Sequence, residues 1–139
     1  MKKLLLLLSI LIIGFITLDA QTVVIEASYY QWKIGNNFSY SPWWSELENC
    51  NILIFIRTDD NIVKINNERN DKFFVYKWNN KITGRDEDGN TWSEFLLYCF
   101  DKDGNKCILS YKTWDNYNMV YFSIYYSNLI YWYLGEVVK

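Results

Sequence analysis

From Gln21 to the C-terminus, apolar residues recur at every second position, not at the spacing of three to four that marks a helix. Asn51-Ile-Leu-Ile-Phe-Ile-Arg57 sets Ile52, Ile54 and Ile56 on one face. Comparable runs follow at 61–66, 72–78, 92–100, 107–114, 119–126 and 129–134, and a first strand falls within 22–32. Asn, Asp, Gly and Ser separate them. The pattern predicts an all-β fold: a single antiparallel meander of about eight strands, closed as a small barrel or folded as a two-layer sandwich. The best helical candidate is 42–49, where Ser41 can cap a turn with Pro42 just inside it.

One hairpin can be read in full. Lys102-Asp103-Gly104 suits a three-residue loop with Gly104 in the left-handed conformation. Asp101 then faces Asn105, Phe100 faces Lys106 and Cys99 faces Cys107. Carried outward, this register puts Leu97 with Leu109, Phe95 with Tyr111 and Ser93 with Thr113 on one face. The other face receives Glu94 with Lys112 and Trp92 with Trp114, which suggests a cross-strand ion pair. A slip of one residue would mix the two faces. In the last hairpin, a Ser127-Asn128 loop puts Phe122 and Tyr133 on one face. Tyr121, Ser123, Tyr125, Ile130, Trp132 and Leu134 share the other.

The N-terminus changes the picture of where this domain resides. Lys2 and Lys3 precede an apolar run from Leu4 to Leu18, and Ala20 offers a small residue before Gln21. This is the pattern of a cleaved signal peptide over 1–20, leaving one domain over 21–139. The run is shorter than a membrane span. Removing the leader leaves 119 residues carrying 12 basic and 15 acidic side chains, a net charge of −3. No basic run remains, so nucleic acid is not an expected partner, and the mature part holds no transmembrane stretch. A secreted or periplasmic location is expected, and there a disulfide can form. Directly opposed Cys99 and Cys107 are the expected pair, with Cys50 a lone thiol; the alternative joins Cys50 to one of them.

Candidate chemistry is sparse. The chain has no histidine, which argues against His-assisted hydrolysis and the common zinc sites. It has no glycine-rich phosphate loop either. Asp86-Glu-Asp-Gly-Asn90 and Asp101-Lys-Asp-Gly-Asn105 place Gly fourth, not sixth as a calcium loop of the EF-hand type requires, so both read as turns. No metal or cofactor is expected. Glu26, Glu46, Glu48 and Glu94 are the carboxylates away from turns that a small glycan hydrolase would need to pair. Asn37-Phe-Ser39 is a glycosylation sequon.

Aromatic residues make up 19% of the chain, and all seven Trp and twelve Tyr follow the leader. That is more than one core layer needs. Adjacent Trp43 and Trp44 point to opposite sides of an extended stretch, and Tyr121, Tyr125 and Trp132 share a face of the last hairpin. These five are the candidate binding residues, for a carbohydrate or a protein partner. The length, leader and meander pattern resemble lipocalin-like barrels. That resemblance implies a small apolar ligand in the barrel mouth. The Gly-x-Trp expected near the first strand of that family is absent, Trp32 leading instead into Lys33-Ile34-Gly35. No site residue carries over. A non-enzymatic binding protein of the cell envelope or exterior is the expected function. An apolar-ligand barrel and a small glycan hydrolase are the alternatives.

Overall fold

The computed structural model describes residues 22–34 and 45–138. The predicted leader, Trp43, Trp44 and the Asn37 sequon lie outside the described residues. Nine strands follow one another: β1 (Thr22–Ile34), β2 (Glu48–Arg57), β3 (Ile62–Ile65), β4 (Asp71–Trp78), β5 (Ile82–Arg85), β6 (Thr91–Asp101), β7 (Lys106–Trp114), β8 (Tyr117–Tyr125) and β9 (Leu129–Val137). Their order in the sheet is β4-β3-β2-β1-β9-β8-β7-β6-β5, and β4 also pairs with β6. The meander therefore closes as a barrel of eight strands with β5 as an extra one. β5 lies along the N-terminal half of β6, on the same edge that β4 uses further on. The sandwich alternative is thereby set aside. Closure runs through β4 and β6, which covers the edges of those two strands, while β1 and β9 pair along nine positions inside the sheet.

The period-two pattern sorts side chains between the barrel's interior and its outer surface. Inward rows cross the sheet at matched registers. One runs Ile25–Ile54–Ile65, another Val63–Phe73, a third Leu97–Leu109–Ile124 and a fourth Tyr111–Phe122–Tyr133. Phe73 and Phe122 are the largest fully buried side chains. Each such burial contributes roughly 1.5–3 kcal/mol. Eight strands enclose a space that side chains can fill, and here bulky ones fill it. Gly135 sits where the backbone of β1 leaves no room for a side chain, opposite Ala27. A Cβ on Gly135 would meet the Glu26 carbonyl oxygen at 2.2 Å.

The predicted hairpin of β6 and β7 has the register read from the sequence, from Trp92–Trp114 to Phe100–Lys106. Gly104 takes a φ of 84° and its N–H donates to Asp101 O at 3.0 Å. The last hairpin also has its expected register, with Phe122 facing Tyr133 and Ser123 facing Trp132. Three expectations need correction. The turn predicted over 42–49 is not helical in its described part: residues 45–47 are irregular, and Asn49 and Glu48 already pair with Tyr29 and Tyr30. The strand Ile82–Arg85 was not foreseen. It is four residues long, contains Gly84 and is largely exposed, so its apolar signal is weak.

The third correction concerns the disulfide. Cys99 does face Cys107, but all three cysteines are free thiols. Asp101 N–H donates to Asn105 O at one end of the β6–β7 ladder, and Asp115 N–H donates to Thr91 O at the other. Counting in twos from either end puts Cys99–Cys107 at a hydrogen-bonded pair, the wider of the two cross-strand types. Both thiols point into the packed interior, and Cys99 Sγ lies 3.5 Å from Leu97 O, to which it donates. Burial pushes the Cys99 and Cys107 thiols up to about 12, so they stay neutral.

Candidate functional site

The outward rows of β6 to β9 build one of the depressions on the surface. Register places Leu96, Ser110, Ser123 and Trp132 side by side across the four strands, followed by Gln31 on β1. The next row holds Glu94, Lys112, Tyr121 and Leu134. Two small serines at the centre of the first row are buried, because taller neighbours stand around them. The result is a cleft of about 340 Å³ lined by Lys33, Glu94, Lys112, Tyr121, Tyr125 and Trp132, among others, with Ser110 and Ser123 as its floor.

Its walls are aromatic and touch one another. Trp114 meets Tyr121 edge-on with centroids 4.7 Å apart, and Tyr121 meets Trp132 at 4.9 Å. Its floor is polar. Ser110 Oγ donates to Glu94 Oε1 at 2.6 Å. The Glu94–Lys112 ion pair expected from the register is not formed. Lys112 Nζ instead sits 4.3 Å from the Trp92 ring centroid and 5.1 Å from that of Trp114. The electron-rich ring faces hold the ammonium in place of the carboxylate. Burial raises the Tyr125 pKa, and the hydrogen bond with Ser123 works against that shift.

Of the five predicted binding residues, the structure brings Tyr121, Tyr125 and Trp132 together in this one cleft. Sequence reasoning missed Ser110, Ser123 and Lys33 as part of it. Ser110 and Ser123 match across β7 and β8 and leave a gap in an otherwise bulky outward face, but the register shift near the turn hides that match from the sequence. The other carboxylates once considered for catalysis lie elsewhere. Glu26 faces Glu136 across β1 and β9, and Glu46 and Glu48 are exposed around the start of β2.

A second polar cluster rims one open end of the barrel. Arg69 sits between Asp71, at 3.0 Å, and the Tyr131 hydroxyl, at 3.4 Å. Tyr126 donates to Asp101 Oδ2 at 3.0 Å. The bond to Tyr131, more than the Asp71 charge, raises the Arg69 pKa against a smaller cost of burial. A cleft of about 600 Å³ opens beside these residues. Every one of their polar groups is already engaged with another, which suits a structural rim. Asp101 and Asp86 are likewise spent on their turns: Oδ1 of each accepts two backbone N–H groups, from Asp103 and Asn105 and from Asp88 and Asn90. Burial works to raise both carboxyls, yet these bonds hold them below the ordinary value.

Among the described residues, no helix is long and apolar enough to cross a membrane. In comparisons with known proteins, no family model, curated protein or solved structure matches the chain.

Proposed function

We propose that this is an exported, non-enzymatic binding protein of the cell envelope or exterior, and that its outer cleft holds a carbohydrate. The observation that carries the reading is the pairing of an aromatic wall with a polar floor in one depression. A sugar ring offers a C–H face and an edge of hydroxyls. Trp132 and Tyr121 suit the first; Glu94, Ser110 and Ser123 suit the second. Export rests on the Lys2-Lys3 start, the apolar run and Ala20. The absence of an enzymatic role rests on the lining of the cleft. Glycoside hydrolysis uses two carboxylates, and among the described residues this lining holds Glu94 alone, already bonded to Ser110.

The test is retention on a panel of immobilised glycans, comparing the protein with Trp132→Ala and Ser123→Leu. The first removes a wall and the second fills the floor. Each is expected to weaken retention about tenfold or more, equivalent to roughly 1.4 kcal/mol, while circular dichroism stays unchanged. Equal retention by all three proteins would sink the cleft as the site. Retention of none, with capture of a protein partner that depends on Trp132, would replace the glycan by a protein.

A further inference from the structure

The opposite half of the outer surface assembles a basic, aromatic face that is invisible along the chain. Closure of β4 onto β6 aligns the outward row Arg57–Ile62–Phe74–Phe100–Lys106 across five strands. The adjacent row holds Phe55, Lys64 and Lys72, and Lys77 pairs with Tyr98 on the far side. Lys64, Lys77 and Lys106 are exposed, as are Phe74 and Tyr76. Three ammonium groups lie over ring faces: Lys72 over Phe74 at 5.0 Å, Lys77 over Tyr98 at 5.4 Å and Lys106 over Phe100 at 6.0 Å.

No outward position of β2, β3, β4 or the paired C-terminal half of β6 carries a carboxylate. Among the described residues the ion pairs are Arg57–Asp60 and Arg69–Asp71, and neither involves these four lysines. The acidic residues lie instead in the turns, at strand ends and on other parts of the surface, Glu26 on β1, Glu94 on the N-terminal half of β6 and Glu136 on β9 among them. A chain that is acidic overall thus keeps four lysines together on one face, with Arg57 at its edge paired to Asp60.

We infer that the glycan is an acidic polysaccharide, and that this basic face is its second contact surface. The inference shares with the proposed function the premise that the partner is a glycan. Charge complementarity selects the acidic class. Five strands at the usual spacing span about 19 Å, a length that suits a polymer with repeated negative charges. The face is also continuous with the cleft. Lys77, Tyr98, Ile108, Tyr125, Ile130 and Lys33 form one unbroken outward row that leads into it. The rings supply stacking surface between the charges and pin the lysines in place.

The test is calorimetric titration with polygalacturonate and with neutral dextran, using the protein, a Lys→Gln variant at positions 64, 72, 77 and 106, and Trp132→Ala. The inference expects polygalacturonate binding that weakens with salt and falls at least tenfold in the Gln variant. A matched Lys→Arg variant should retain it, which separates charge from folding. Binding of polygalacturonate that ignores the Gln changes would overturn the inference, as would binding of dextran alone; Trp132-dependent binding in either case would leave the proposed function standing. Binding of neither polymer would overturn the inference, while the proposed function stands or falls with the glycan panel. Tighter binding of a single-stranded oligonucleotide, or of phosphatidylglycerol vesicles, would overturn the inference in favour of that class.

Discussion

The two halves of the barrel's outer surface arise from the same pleat and end up chemically opposed. On β6 to β9, two serines leave a gap that Trp132, Tyr121 and Lys112 surround, and a cleft results. On β2 to β4 and the end of β6, the outward rows carry Arg57, Lys64, Lys72, Phe74, Lys77, Tyr98 and Phe100, and a basic, aromatic face results, with a cleft of its own beside Phe55, Lys64 and Lys72. Both halves stand on one interior. Outer-face residues of an antiparallel barrel contribute little to the core, so their composition is free to serve a ligand. The contrast lies in what the outward rows carry: two serines beneath an aromatic wall on one half, lysines interleaved with rings on the other.

The largest effect tests the shared interior. Phe122→Ala removes a fully buried ring whose neighbours include Tyr111 and Tyr133. It should cost about 3–5 kcal/mol, read by denaturant unfolding. Both outer surfaces should be lost in a single transition. Two separate transitions would mean that the halves are independent units.

A moderate effect concerns the seam between the halves, where Cys99 and Cys107 face inward. Burial favours the neutral thiols and the neutral Tyr133 phenol, all raised to about 12. A raised pKa of this kind supports the fold fully below the unfolded value, near 9 for the thiols, and the support disappears as pH climbs through 12. Melting temperature should stay level from pH 7 to 9 and fall steadily above it. In the folded protein at pH 8, iodoacetamide should modify Cys50, which is only partly buried, and spare the other two. Rapid modification of Cys99 would contradict that burial.

The smallest effect sharpens the charge contrast. Glu26 and Glu136 are directly opposed on β1 and β9, and like charges in that arrangement repel. Glu26→Lys should stabilise by roughly 0.5 kcal/mol at low salt, and the gain should vanish in 1 M salt.

How legible this was in the sequence depended on whether turn chemistry pinned the register. Asp101-Lys-Asp-Gly-Asn105 fixed β6 against β7, and Ser127-Asn128 fixed β8 against β9. The outward rows of each hairpin were therefore readable, Tyr121, Tyr125 and Trp132 among them. The cleft was not, because it needs Ser110 beside Ser123. Between them the β7–β8 register shifts at Thr113–Trp114, where Trp114 meets Tyr117, so counting in twos fails there. The basic face was further from reach. Lys64, Lys72, Lys77 and Lys106 are scattered along the chain and meet only through the non-local pairing of β4 with β6. The Cys99–Cys107 bridge failed for a different reason. Register established opposition, but the type of cross-strand pair and the direction into the core decided against a bond.

The most direct measurement is a nuclear magnetic resonance titration of the labelled protein with soluble glycans, neutral and acidic. Shifts should concentrate on the Trp132 indole N–H, the Tyr121 and Ser123 amides and their neighbours in the cleft. Shifts confined to Arg69, Tyr126 and Tyr131 at the barrel rim, or no shifts with any glycan, would contradict the assignment of the cleft as a carbohydrate site.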